Sequence, residues 1–383
     1  MTTGARALYL CYFGIREPLV QTQVLPYLRE LAAGGVAMSL LTFEPNVMAS
    51  AAWRERLRAD GIDWHMLPYH KRAFLKPFDI VRGAWRAASI ARRGNITLFH
   101  GRSHVGAAIG AIAKWLTGGR LIFDVRGFLA EEYVDSGNWR ANGLLYRVTK
   151  AAERRLYRAA DGFVVLTERA RDAIPSNGRP LEVIPCCVDP QRFASDERAD
   201  LGVTKRPVFV YAGALGGYYL IDEMVALLAK ARAFALVLTQ GSTAPITEAL
   251  RRAESGADDF RVLQVAPDDV PNYLRAADVA LLLVRRSYAR SAMSPTKFAE
   301  YLAAGLPVIA SAGIGDLDTE IPQQRVGVLL QGNDYDDALR AIDELRSDPG
   351  LAARCRAVAR TRYDLHAVGG ARYRRLYDAV LSR

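Results

Sequence analysis

The chain has 383 residues, half of them hydrophobic and 24% charged, and its 51 Lys and Arg against 41 Asp and Glu give a formal net charge of +10. This length exceeds one comfortable core and suits two domains, and the composition excludes a disordered chain. No uninterrupted apolar stretch reaches the roughly 18 residues of a membrane span, and the opening apolar run at 7–13 meets Arg16 and Glu17 too soon to be a cleaved signal peptide, so a cytoplasmic protein is expected.

Short apolar, β-branched runs alternate with helical periodicity along the whole chain, the pattern of parallel sheets with crossover helices on both faces. In chain order, strands are expected at 7–13, 37–43, 63–67, 97–100, 120–125, 162–166 and 181–184, which completes one doubly wound α/β domain. After the loop 185–205 the pattern restarts, with strands at 208–212, 235–239, 260–265, 279–284, 308–311 and 326–330. Helices are expected at 24–33 and 141–158, up to Gly305 before Leu306 and Pro307, and over the Arg- and Tyr-rich segment 351–383. In open sheets of this kind ligands bind beyond the carboxyl ends of the strands, so the loops there are where chemistry is sought.

Cys11, Cys186, Cys187 and Cys355 have neither metal nor redox spacing, which fits a reducing compartment. The positive charge favours an anionic partner: nucleic acid, lipid headgroups or the phosphates of a nucleotide. Basic residues are densest over 70–93, where Lys71, Arg72, Lys76, Arg82, Arg86, Arg92 and Arg93 face one acid, Asp79, and interleave with Phe74, Leu75, Phe78, Ile80, Val81 and Trp85. That segment reads either as a solvated basic helix face or as a helix lying on an anionic membrane surface.

Residues 293–310 (MSPTKFAEYLAAGLPVIA) carry the most chemistry. They open a helix after a strand, with Ser294 suited to cap it and Pro295 to its first position, so that free N–H groups around Pro295, Thr296 and Lys297 point outward with the positive end of the helix dipole. Lys297 adds a full charge, and Glu300, three residues on, can accept hydrogen bonds from two ribose hydroxyls. A phosphate donor beside a carboxylate describes a nucleotide diphosphate site; the alternative is a capping box with an exposed Lys-Glu pair.

This segment resembles the donor-site helix of the GT-B glycosyltransferases, specifically the retaining family 4. Residues 211–217 (YAGALGG) are similar to the glycine-bearing turn of that family's donor domain, 184–189 (IPCCVD) to its interdomain segment, and 276–280 (AADVA) to the strand leading into the donor loop. The resemblance implies a GT-B architecture of two Rossmann-like doubly wound domains facing across a cleft: 1–190 on the acceptor side, 191–362 holding the donor, and 363–383 as a C-terminal helix packing back on the first domain. It further implies that Gly213, Gly216 and residues Ser294 to Lys297 hold the diphosphate and Glu300 the ribose.

Two departures from the family pattern stand out. The family's sugar-contacting glutamate is replaced by Ala292, and its Arg and Lys in the first donor-domain turn are replaced by Gly216, Gly217, Tyr218 and Tyr219. Arg285, Arg286 and Arg290 are the expected substitutes, Arg285 and Arg290 being taken as donor-binding. In the first domain, 123–128 (FDVRGF) follows a strand, which brings Asp124, Arg126, Glu131 and Glu132 to the cleft edge; Arg126 stands where family members often keep a histidine. His100, Arg102 and His104 end the preceding strand, and the loop with Arg16, Gln21, Thr22 and Gln23 replaces a glycine-rich one.

Asp316 and Asp318 have the DxD form of metal-dependent transferases, but no third ligand at suitable spacing, so no metal is expected. The expected activity is transfer of a sugar from a nucleoside-diphosphate sugar, UDP- or GDP-linked, to a lipid-linked or saccharide acceptor in bacterial surface polysaccharide or glycolipid synthesis. Retention is expected, with Arg126, Lys297 and Asp124 as catalytic groups, no cofactor and no nucleic-acid partner. Two other readings remain open: a sugar-nucleotide epimerase, which would form product without an acceptor, and a component that binds nucleotide sugar or a membrane without turnover.

Overall fold

A computed structural model describes residues 4–46, 51–195, 197–204, 207–253, 256 and 259–383, and the chain divides into two units, Met1–Pro185 with Leu365–Arg383, and Cys186–Asp364. The first holds seven parallel strands: β1 (Arg6–Cys11), β2 (Ala37–Glu44), β3 (Ile62–Pro68), β4 (Leu98–Arg102), β5 (Arg120–Asp124), β6 (Gly162–Val165) and β7 (Leu181–Val183). They lie in the order β3-β2-β1-β4-β5-β6-β7. The second holds β8 (Val208–Ala212), β9 (Phe234–Thr239), β10 (Phe260–Gln264), β11 (Val279–Leu282), β12 (Val308–Ser311) and β13 (Gly327–Leu330), in the order β10-β9-β8-β11-β12-β13.

Each expected strand is present: inner strands such as β8 and β9, covered by helices on both faces, are buried and apolar nearly throughout, whereas the edge strands β3 and β10 expose polar positions such as Asp63 and Arg261. In the second unit Val210, Leu282 and Ala310 pack into one core while Phe209, Leu281 and Ile309, one residue away, pack into the other. Strand order reverses between β1 and β4 and between β8 and β11, the positions where open sheets of this type part their crossover helices and bind ligands. The register sets Tyr9 beside His100, and Arg102 beside Asp124.

The last segment, expected to be helical over 351–383, is built of three helical pieces. A helix Leu351–Arg362 ends where the Tyr363 carbonyl leaves the helical ladder to accept the Val188 N–H at 2.8 Å. A π-helical turn, Leu365–Gly370, then leads into the helix Ala371–Leu381. That helix buries Tyr373, Leu376, Tyr377 and Val380 in the first unit. A Cβ on Gly162 would stand 2.5 Å from Val380 Cγ2, so the strand needs glycine where the helix crosses it. The helix expected at 141–158 begins only at Leu144, because Asn142 takes a left-handed conformation (φ 60°) before the Gly143 cap. No helix among the described residues is long and apolar enough to cross a membrane.

Candidate functional site

The second unit builds its site from the end of β8 and the helix Thr296–Ala304. Beyond Ala212 the chain turns through Gly213 (φ 142°), Gly216 (φ 91°) and Gly217 (φ 68°), all in the region that L side chains avoid. Gly213 has a second reason to be glycine: a Cβ there would lie 2.6 Å from Lys297 Nζ. The turn is then pinned along the end of β11, where Leu220 N–H donates to the Leu283 carbonyl (3.1 Å) and Arg285 N–H to the Tyr218 carbonyl (2.8 Å).

Lys297 is only 8% exposed. Its ammonium donates to the Tyr211 hydroxyl at 3.0 Å and lies 4.2 Å from the Tyr211 ring centroid and 3.8 Å from that of Tyr219. Among the described residues no carboxylate comes within ion-pair distance of it. Burial pushes the ammonium down to about 7, against the opposing pull of Glu300. A buried ammonium at the start of a helix and against a glycine turn has the chemistry that suits an anion.

Glu300 is half-buried, with Oε1 4.0 Å from Arg192 Nη1. Burial raises its carboxyl above the ordinary range, opposed first by Arg192 and then by Lys297. Arg192 is itself held by the Pro267 carbonyl at 2.7 Å. Arg192 is not among the residues expected at this site; its one sequence clue is its place just after the 184–189 segment, in the short turn Pro190–Phe193 that Asp189 caps.

Ser294 does not cap the helix, contrary to expectation. Its Oγ accepts the Cys186 N–H at 3.1 Å, so the hydroxyl is spent on a segment 108 residues away. Pro295, expected at the first helical position, is instead the cap, with extended backbone (φ −70°, ψ 117°). The N–H groups of Thr296 and Lys297 thereby open the helix, outside its own ladder. Among the arginines expected to replace the missing basic residues, Arg290 reaches the turn, its guanidinium 4.0 Å from the Tyr218 ring centroid. Arg285 is exposed and joined to the turn through its backbone. The Arg286 side chain lies against Gly313 instead. Asp318 accepts the Gly313 N–H at 2.7 Å, and the described residues contain no cluster of three His, Cys, Asp or Glu side chains able to hold a metal.

In the first unit the ends of β1, β4 and β5 enclose a buried polar cluster. Asp124, with no solvent exposure, lies 3.3 Å from Arg126 Nη1 and from the Tyr9 hydroxyl, and 3.6 Å from Arg102 Nη1 and His100 Nε2. Burial alone would raise its carboxyl, but Arg126, His100 and Arg102 together hold it well below the usual carboxylate range. Arg102 also donates to the Gln23 carbonyl at 3.2 Å, which ties the first loop to this cluster. His100 Nδ1 meets the Tyr377 hydroxyl of the C-terminal helix at 2.8 Å, and burial lowers its pKa. His104 pairs with Glu153 at 3.0 Å, and Glu131 with Lys150 at 3.1 Å. The first loop closes on Glu44, whose carboxylate accepts the Ile15 N–H at 2.9 Å and would crowd any Cβ on Gly14.

The family model described as "Glycosyl transferase 4-like domain" matches residues 20–187, and that described as "Glycosyl transferases group 1" matches residues 206–348. No curated protein sequence is a match. Among solved structures, sucrose-phosphate synthase from Thermosynechococcus elongatus aligns over 99% of both chains at 17% identity, with a TM-score of 0.74. A glycosyltransferase from Rickettsia africae aligns over 99% of this chain and 100% of its own, at 14% identity and a TM-score of 0.73. The Anabaena protein HepE, solved in complex with UDP-glucose, aligns over 99% of this chain and 100% of its own, at 15% identity and a TM-score of 0.70. With both units matched by glycosyltransferase models and the whole fold shared with these proteins, the chain belongs to the GT-B glycosyltransferases of the family 4 type.

Proposed function

We propose that this glycosyltransferase moves a sugar from a nucleoside-diphosphate donor to an acceptor hydroxyl, with retention at the anomeric carbon and without a metal ion. The observation that carries this reading is the buried ammonium of Lys297 lying against the Gly213 turn, with Glu300 one helical turn further along. The main barrier is departure of the diphosphate. Lys297, the opening N–H groups of its helix and Arg290 supply positive charge where negative charge develops, and the burial of the Lys297 ammonium strengthens its share of that stabilisation. Glu300 accepts from the ribose hydroxyls. The acceptor attacks on the face from which the diphosphate leaves, so the sugar keeps its configuration and no protein nucleophile is needed. HepE, in its complex with UDP-glucose, favours a UDP-linked donor, and the similarity to WaaB and WaaG, both lipopolysaccharide glycosyltransferases, favours a lipid-linked or saccharide acceptor in bacterial surface glycan synthesis.

The region 70–93 fits the same setting. Its helix, Lys76–Gly94, and the turn before it expose Phe74, Phe78, Val81 and Trp85 along one face, while the single acid, Asp79, is buried and held by Tyr12, His70 and Arg82. What remains outside is apolar and basic, complementary to an anionic lipid surface.

Calorimetry against UDP-, GDP- and CMP-sugars tests the donor reading. Glu300→Ala and Lys297→Ala are each expected to weaken binding of the preferred nucleotide by about 1–3 kcal/mol with folding intact, and turnover is expected to persist in excess EDTA. Unchanged affinity in both variants refutes the donor site, and loss of turnover in chelator that magnesium or manganese restores refutes the metal-independent mechanism.

A further inference from the structure

We propose that Tyr211 is a positioning residue whose phenol oxygen locks the Lys297 ammonium to the glycine turn, so that the two halves of the diphosphate site act as one rigid unit. The inference rests on the donor reading above and adds to it a β8 residue to which that reading gives no role.

The hydroxyl of Tyr211 is bonded on both sides. It accepts from Lys297 Nζ at 3.0 Å and donates to the carbonyl of Ala214, inside the turn. Only a group that is both donor and acceptor can make that bridge. Burial pushes the phenol far above its ordinary value, with Tyr301 and Tyr218 adding to the shift, so it stays neutral and keeps the proton it gives to Ala214. The ring is 1% exposed and lies close beneath the ammonium, and Gly213 leaves the space above β8 through which the lysine reaches. The same helix holds the strand end once more, through the Tyr301 hydroxyl, which accepts the Ala212 N–H at 2.9 Å. The helix is therefore moored to β8, and Tyr211 carries that mooring on into the turn. Without its hydroxyl, the Ala214 carbonyl and one ammonium N–H would lose their partner in a buried setting.

The experiment is calorimetric titration of the full chain with UDP and with GDP from pH 6 to 9, on the wild type, Tyr211→Phe and Lys297→Ala. The groups facing the ammonium are Tyr211 from β8, Tyr219 from the turn and Glu300 from its own helix, with Arg290 against the neighbouring Tyr218. Wild-type affinity for the diphosphate should fall as pH rises beyond about 7, where Lys297 loses its proton in the empty site. Tyr211→Phe keeps the ring but removes an acceptor that stabilises the charged form, so the fall should move to lower pH by roughly half a unit or more, and affinity at pH 7.5 should drop about 3- to 10-fold, with a smaller loss at pH 6. A phenol that serves only packing would instead lower the melting temperature and weaken binding equally at every pH. An unshifted profile in Tyr211→Phe, with Lys297→Ala impaired, overturns the positioning role alone. A Lys297→Ala variant that binds like the wild type, or a wild type that binds neither diphosphate, overturns the donor reading and this inference with it.

Discussion

Arg126 Nη1 stands 3.3 Å from Asp124 Oδ1, two residues back along the end of the same strand, and the carboxylate it meets has no contact with solvent. The pairing gives Arg126 a fixed seat, and it gives Asp124 the work of neutralising two guanidiniums, since Arg102 shares the same carboxylate.

Asp124→Asn should therefore destabilise the fold by about 3–5 kcal/mol, because it removes the carboxylate that the buried Arg102 guanidinium faces. The carboxyl titrates below its ordinary value of 3.8 in the folded protein, so its stabilising contribution is present above that value and is lost as pH falls through the depressed one. Melting curves of wild type and variant should differ most at neutral pH and draw together below about pH 4. Arg126→Lys, which keeps the charge but loses the planar fork, should fold and lose most of its turnover. Full activity in Arg126→Lys would remove this arginine from the reaction.

Lys297 should make the empty protein more stable as pH rises. Its pKa is about 7 in the folded chain against an ordinary 10.5, so between those values the unfolded chain binds the proton and the folded one does not. Stability attributable to this group therefore climbs from about pH 7 to about pH 10.5, and the full penalty of burying the charge is present below pH 7. Lys297→Met should accordingly melt above the wild type at pH 6, with the gap closing towards pH 10. A constant gap across that range would mean that the ammonium is not desolvated.

The exposed row Phe74, Phe78, Val81 and Trp85 should bind vesicles of phosphatidylglycerol and not those of phosphatidylcholine, with a blue shift of Trp85 emission on binding. Replacing Phe74 and Trp85 by Ser, or Lys71 and Arg72 by Glu, should abolish co-sedimentation while leaving the melting temperature unchanged, since all four side chains are exposed. Binding that survives both double variants would place the membrane contact elsewhere.

Several of these features were legible along the chain because their causes are local. Inner strands covered on both faces are apolar nearly throughout and the edge strands keep short apolar runs between helical segments, so the thirteen strands among the described residues could be placed from sequence, with ends displaced by no more than two residues. The helix carrying Lys297 and Glu300 is announced by Pro295 before it and Gly305 after it, whose left-handed backbone (φ 87°) ends it. Spacing also placed Lys297 and Glu300 on one helix, since residues three apart stand side by side.

What a side chain is bonded to across the sheet leaves no such trace. Ser294 has the composition of a helix cap, yet its hydroxyl goes to Cys186, which competes for it across 108 positions. Tyr211 reads as one more apolar strand residue until the fold brings Lys297, 86 positions away, onto its hydroxyl. Arg192 has only its place after the 184–189 segment to suggest that it will stand beside Glu300, and Asp124 reads as a cleft-edge carboxylate until β4 is laid against β5 and sets Arg102 beside it. Periodicity and punctuation thus determine which elements form, because each depends on neighbours within a few residues. Charge state, hydrogen-bond partners and the direction of each functional group were decided only by the tertiary structure, because burial and long-range contact set them.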